Sequence, residues 1–121
     1  MPDYTPIFKP GAEVTLVASA DVTAGQTLVV TGQQTVGPAA GVSAAYAGVA
    51  AFDAKSGERV VVIGPAVHEL TASGAINDGD LVTTASSGRV AAIGGSPAVG
   101  TDIGVALADA ASNKVIVKTF R

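Results

Sequence analysis

The chain has no cysteine and no tryptophan, a single histidine, and only two tyrosines and three phenylalanines among 121 residues. Without cysteine there can be no disulfide, no thiolate nucleophile and no cysteine-based zinc site, which fits manufacture in a reducing compartment. One histidine, His68, leaves no imidazole cluster for a transition metal. Lysine and arginine together number seven, scattered without a run, and the net charge is −3. That balance gives no electrostatic footprint for nucleic acid. No stretch approaches the roughly 18 uninterrupted apolar residues of a spanning helix, and the opening MPDYTPIFKPG lacks the basic start and apolar run of a signal peptide. The expectation is a soluble chain made in the cytoplasm, with no nucleic acid or membrane partner.

Small apolar residues are abundant instead. Alanine occurs 23 times and valine 18 times, within a chain that is 48% hydrophobic. At about 25 cal/mol per Å², each of these side chains contributes less on burial than a leucine or phenylalanine. A core built this way gains from a partner that buries more surface, so an oligomer is expected.

The main internal signal is a duplication. GVAAFDAKSGERVVV from Gly48 returns as GVALADAASNKVIVK from Gly104, 56 positions later, and ASADVTAGQTLVV from Ala18 aligns with ASGAINDGDLVTT from Ala72, 54 positions later. The first alignment pairs Gly48 with Gly104, Val49 with Val105, Asp53 with Asp109, and Val61 with Val117. Short valine-rich runs punctuated by Gly, Pro, Asn, Asp and Ser then predict strands at Glu13–Ala18, Thr27–Thr31, Ala47–Phe52, Arg59–Ile63, Val67–Ala72, Leu81–Ala85, Arg89–Ile93, Ile103–Ala108 and Val115–Phe120, with a weaker one near Thr35. No window sustains helical spacing, and fifteen glycines oppose long helices. The expected fold is all-β: one small β-barrel or β-tulip-like domain over residues 13–121, built from pseudo-repeats of about 13–64 and 65–121 that share a core. Val49 and Val105 should then take matching inward positions. Asp53 and Asp109 should each open a hairpin turn, with Gly57 and Asn113 where positive φ is tolerated.

Residues 1–12 read as an extended N-terminal arm. Pro2, Pro6 and Pro10 each fix φ and remove a donor, which keeps the segment out of any central strand. Tyr4, Ile7 and Phe8 there are anchors for a neighbouring surface, or else staple the arm to its own barrel. Further along, Arg59-Val60-Val61-Val62-Ile63 is apolar on both faces. Such a strand is either sandwiched in the core or covered by a neighbouring subunit.

The strings DYTPIFKPG, VTLVASADVTAGQTLVVTG, AGVAAFDAKSGERVVVIG, AVHELTASGAINDGDLVTTASSGRVAAIG and IGVALADAASNKVIVKTF together resemble the head decoration (capsid cement) proteins of tailed bacteriophages, particularly those of actinobacterial hosts. The similarity covers nearly the whole chain. It implies a structural virion protein on the outer surface of the mature capsid, usually a homotrimer, that bridges subunits of the phage major capsid protein. It implies no catalytic residue and no cofactor. The arm would then contact the capsid through Tyr4, Pro6, Ile7, Phe8 and Lys9, and Val60, Val61, Val62 and Ile63 would form a subunit interface or core.

Sites for chemistry are not assembled by the sequence. Asp78 and Asp80 flank Gly79 without the spacing of a calcium loop. No serine sits in a GxSxG elbow, and Gly94-Gly95 lacks the strand, helix and lysine of a phosphate cradle. The chain is therefore not expected to be an enzyme or to bind a metal. An alternative reading is a β-rich adhesive or accessory module that recognises a host-surface glycan, for which Tyr46 and Phe52 are the candidate stacking rings.

Overall fold

Branched side chains favour pleated backbone, and positions where the apolar residues alternate with polar ones give strands with one buried face. The clearest case is Lys114–Thr119, where Val115, Val117 and Thr119 are buried while Lys114, Ile116 and Lys118 face out. The computed structural model describes residues 13–94 and 99–121. It contains ten strands: β1 (Glu13–Ala18), β2 (Thr27–Gly32), β3 (Thr35–Pro38), β4 (Tyr46–Ala50), β5 (Arg59–Ile63), β6 (Val67–Thr71), β7 (Leu81–Ala85), β8 (Arg89–Ala92), β9 (Asp102–Ala106) and β10 (Lys114–Thr119). The all-β expectation holds, and its strands fall within a residue or two of those read from the sequence.

Strands β1 to β5 close into a barrel in the order β1-β3-β2-β4-β5, with β5 returning antiparallel to β1. Strands β6 to β10 repeat this path as a five-stranded sheet in the order β6-β10-β9-β7-β8. In the first barrel β1 and β3 run parallel at Val17↔Thr35 and Ala18↔Val36. In the second, a single parallel bridge, Ala72↔Val90, stands in the same place.

The duplication extends to individual hydrogen bonds. Ala50 N donates to Gln26 O at 2.9 Å, and Ala106 N to Asp80 O at 2.9 Å; Ser19 N donates to Val36 O, and Ser73 N to Val90 O. Thr23–Gln26 and Asn77–Asp80 form matching turns, with Gly25 at φ 86° and Gly79 at φ 83°, values that suit glycine. In each, the side chain of the last residue accepts from the first backbone N–H, Gln26 Oε1 from Thr23 at 2.8 Å and Asp80 Oδ2 from Asn77 at 2.9 Å. Asp53 and Asp109 do not open their own hairpins. Each reaches back instead to secure the other turn of its unit: Ala24 N donates to Asp53 Oδ1 and Asp78 N to Asp109 Oδ1, both at 2.8 Å.

Three sequence expectations are corrected. The offset of 56 holds through Ala54 and Ala110, but the tighter Ala111–Lys114 turn, with Ser112 and Asn113 both at positive φ, is one residue shorter. Val117 therefore corresponds to Val62 and not to Val61. Both stand opposite matching strand positions, Val62 against Val14 and Val117 against His68. Next, the units do not share one core. One cluster lies inside the first barrel around Leu28, Val36, Val60 and Val62, and another around Leu70, Val82, Ile103 and Val117. A five-stranded barrel is narrow, so small side chains fill it, which accounts for the alanine and valine excess. Finally, Val49 and Val105 are equivalent but face outward from their own barrels. Val49 is buried because it packs, with Tyr46, onto the second cluster, while Val105 is only half-buried.

Gly48 and Gly104 mark the bend that closes each unit. A Cβ on Gly48 would lie 2.5 Å from Ile63 O, and on Gly104 2.5 Å from Lys118 O. Beside them the β2–β4 and β7–β9 ladders shift register between Leu28 and Val29 and between Val82 and Thr83. Gly104→Ala should accordingly lower stability by about 2 kcal/mol or more in denaturant melts; an unchanged midpoint would show that the neighbouring strand yields. Val49→Asp should cost several kcal/mol as an unpaired buried charge, whereas Val105→Asp should cost less than about 1 kcal/mol. Equal losses at both positions would contradict the outward placement of Val105.

Candidate functional site

The barrels meet through a polar seam. Thr27, at the start of β2, is fully buried and donates from Oγ1 to Arg89 O at 3.2 Å, and the Gln26 Nε2 donates to Ser87 O at 3.1 Å. Gly88 N donates to Ala39 O at 2.9 Å. Thr84 Oγ1 donates to Gly41 O at 2.7 Å and accepts from Ser43 N at 3.0 Å. The tip between β7 and β8 fits this seam because Ser87 and Gly88 are both left-handed, at φ 60° and 69°. Gly88 lies so close to Gln26 that a Cβ would sit 2.6 Å from the Gln26 Cβ.

A cleft of about 340 Å³ opens beside the seam, lined by Gln26, Glu69, Thr71, Ser87, Arg89 and Lys114 among others. Its cations are held locally: Arg89 donates to Ser86 O and Ser86 Oγ at 2.9 and 2.8 Å, and Lys114 Nζ to Thr71 Oγ1 at 3.1 Å. The cleft offers hydrogen-bond donors and charge of both signs, groups suited to recognition of polar partners.

On the other side of the seam, Tyr46 is buried in the second cluster with the Arg121 guanidinium 5.8 Å from its ring centre. Arg121 also donates to the backbone oxygens of Gly100 and Ala44, which ties the end of the chain to both barrels. Burial pushes the Tyr46 hydroxyl up to about 12, against the opposing pull of Arg121 and Thr119. Its Oη nevertheless has no partner in hydrogen-bond geometry among the described residues. The Thr119 hydroxyl is already engaged with Gly64 O and Ala66 O.

The residues singled out in the sequence fall in several places. Tyr4, Pro6, Ile7, Phe8 and Lys9 lie outside the described residues. Val60 and Val62 are inside the first barrel, while Val61 and Ile63 are half-buried on its outer face. His68 is half-buried in β6 with Nε2 3.2 Å from Gly64 O, a contact that links it to the junction of the units. Tyr46 is internal and Phe52 exposed, so the two rings do not line one open groove. Among the described residues no group of three His, Asp or Glu is placed to hold a metal, and no helix is long and apolar enough to cross a membrane.

Sequence reasoning missed the seam itself. Thr27, Thr84 and Gln26 looked like ordinary strand and turn residues, and only their partners, 41 to 62 positions away, give them a role. It also missed exposed apolar strand residues such as Val30, Val67, Leu81 and Ile116.

Comparison with known proteins agrees with this picture of a surface-presenting scaffold. A family model described as "Phage cement protein" matches residues 8–120. The fold resembles the crystal structure of head fiber gp8.5 N base in bacteriophage phi29, with a TM-score of 0.66, 24% identity, and coverage of 88% of this chain and 92% of that one. The curated proteins give no match.

Tyr46 gives a pH test of the seam. The folded hydroxyl keeps its proton to about 12 and an unfolded tyrosine loses it near 10. The stability tied to the neutral hydroxyl is thus complete below about 10 and lost as pH rises from there toward 12. Tyr46→Phe should flatten that alkaline decline, and should change stability at pH 7 by less than about 1 kcal/mol because the hydroxyl makes no bond. Thermal melts from pH 7 to 11 read both effects, and an alkaline slope identical to that of the native protein would place the hydroxyl in water.

Proposed function

From the premise that the chain belongs to the phage cement protein family, we propose that it binds the outer surface of the mature capsid as a homotrimer and stabilises the shell by bridging major capsid protein subunits. The family match over residues 8–120 carries this reading. The duplicated barrels support it, since they display two similar surfaces on a stiff frame without assembling reactive groups. A protein that holds two shell subunits at once stabilises the assembled state by mass action, because its binding energy is lost whenever the subunits part. The role is structural and non-catalytic, and its place is the virion exterior.

The arm is the proposed capsid contact. Three prolines limit its unbound freedom, so ordering it costs less than the roughly 1–2 kcal/mol per residue of an unrestricted chain. Tyr4, Ile7 and Phe8 supply anchors that, when truncated, commonly cost about 2 kcal/mol or more, and Lys9 supplies a rim charge that tunes association rate. Val61 and Ile63, on the outer face of β5, offer a second apolar contact.

Cosedimentation with expanded and unexpanded heads tests the reading directly. Saturable binding to expanded heads is expected, and absence of binding to either form would reject it. Deleting Met1–Lys9 should leave the melting temperature intact, because the strand pattern of the sequence begins only at Glu13, and should weaken head binding at least tenfold. Unchanged affinity with a lowered melting temperature would make the arm an internal staple and move the contact to the barrels.

A further inference from the structure

The strand registers set three outward residues in a row across the second barrel. Lys114 on β10 stands opposite Thr71 on β6. The parallel bridge Ala72↔Val90 follows directly, and because Ala72 and Val90 are buried, the residues before them, Thr71 and Arg89, lie side by side on the outer face. The row therefore reads Lys114–Thr71–Arg89, and all of it lines the cleft of about 340 Å³ beside the seam. The same row of the first barrel is Arg59–Val17–Thr35, given by the pairs Val17↔Arg59 and Val17↔Thr35. Where the first barrel carries a single cation the second carries a pair, and it does so where the Thr23–Gln26 turn of the first barrel adds a wall to the cleft.

Both cations are steadied by neutral acceptors, Arg89 by Ser86 O and Ser86 Oγ, and Lys114 by Thr71 Oγ1. Guanidinium and ammonium groups carry more N–H donors than these bonds use. Neither cation has a carboxylate within 4.0 Å among the described residues. Glu69, the carboxylate of the cleft, stands opposite Ile116, the next outward pair along the β6–β10 ladder. The cleft thus keeps an excess of positive charge in a chain whose net charge is −3. Beside it the outer face turns apolar. Ile116 and Leu107 are neighbours through the bond from Leu107 N to Ile116 O, and they are 41% and 51% exposed.

We infer that this cleft receives an acidic side chain of the major capsid protein, its carboxylate held between Arg89 and Lys114 while Ile116 and Leu107 cover apolar groups beside it. The carboxylate oxygens can accept from a guanidinium and an ammonium at once, and charge-assisted bonds of this kind are roughly twice as strong as neutral ones. A doubly charged phosphate fits less well, since Glu69 lines the same cleft and opposes the second charge. The walls come from both barrels, so the bound side chain also ties one barrel to the other. The assignment rests on the capsid-binding reading and adds to the arm a second point of attachment. With one grip made, the other acts at high effective concentration.

Few lysines make a direct test available: besides Lys114 the chain has only Lys9, Lys55 and Lys118. A carbodiimide joins an amine to a carboxylate in contact with it as an amide, without a spacer. Applied to the full chain bound to expanded heads and read by peptide mass spectrometry, it should give an amide between Lys114 and an aspartate or glutamate of the major capsid protein. Lys114→Glu, at an exposed position and checked for native circular dichroism, should weaken head binding by at least about tenfold in cosedimentation, and Lys114→Arg should restore it. Lys55→Glu makes the same change of charge on the first barrel, where Lys55 and Asp21 are both exposed, and should leave binding within about threefold. Amides to the shell at the other lysines alone, full affinity in Lys114→Glu, or equal losses in Lys114→Glu and Lys55→Glu would each overturn the assignment, while saturable binding of the native chain keeps the capsid reading. Failure of the native chain to bind heads would overturn both.

Discussion

Each barrel depends on one close approach of backbone to backbone, at Gly48 against Ile63 and at Gly104 against Lys118. A sheet of five strands has to turn sharply to meet itself, and the turn is made where a strand slips register and presses onto its neighbour. No side chain larger than hydrogen fits there. From that bend follow the narrow interior, the reliance on alanine and valine to fill it, and the division of the molecule into two small cores instead of one. The outward strand residues that this geometry leaves over, Thr27 and Val49 among them, form the surface on which the barrels meet.

The seam shows how one contact can draw on two kinds of interaction. Inside the chain the barrel contact joins apolar packing of Tyr46 and Val49 to polar bonds in which Thr27, Gln26 and Thr84 pair with backbone groups, and a covalent connection through Gly64 and Pro65 keeps the partners together. A contact with no such tether has to supply its own affinity, and apolar burial is the strongest source for it.

Much of this was legible in the sequence. The strands, the duplication and the matched glycine turns follow from spacing and residue type, and the phage structural family was visible as a resemblance of whole strings. What was not legible is where the equivalent residues point. Val49 and Val105 are identical in sequence context and both face away from their own barrel, but among the described residues only Val49 packs onto the neighbouring cluster. Val61 and Val117 aligned by identity, yet a turn shorter by one residue leaves Val117 inside its barrel and Val61 on the outer face of β5. Asp53 and Asp109 were read as local turn formers, and their long-range bonds could be found only with the turns in place. The polar seam had no signature, since threonine and glutamine in strands and turns are unremarkable until their partners are known.

The unequal closure of the barrels divides the molecule mechanically. The first is sealed by two successive parallel pairs between β1 and β3, the second by the lone bridge from Ala72 to Val90. Two edges joined at one point can part and rejoin with little loss of backbone bonding, so the second barrel is the compliant half and the first the rigid one. A pull across the second sheet would open the Ala72–Val90 bridge before it reached either core. The protein is thus a strut with a spring at one end.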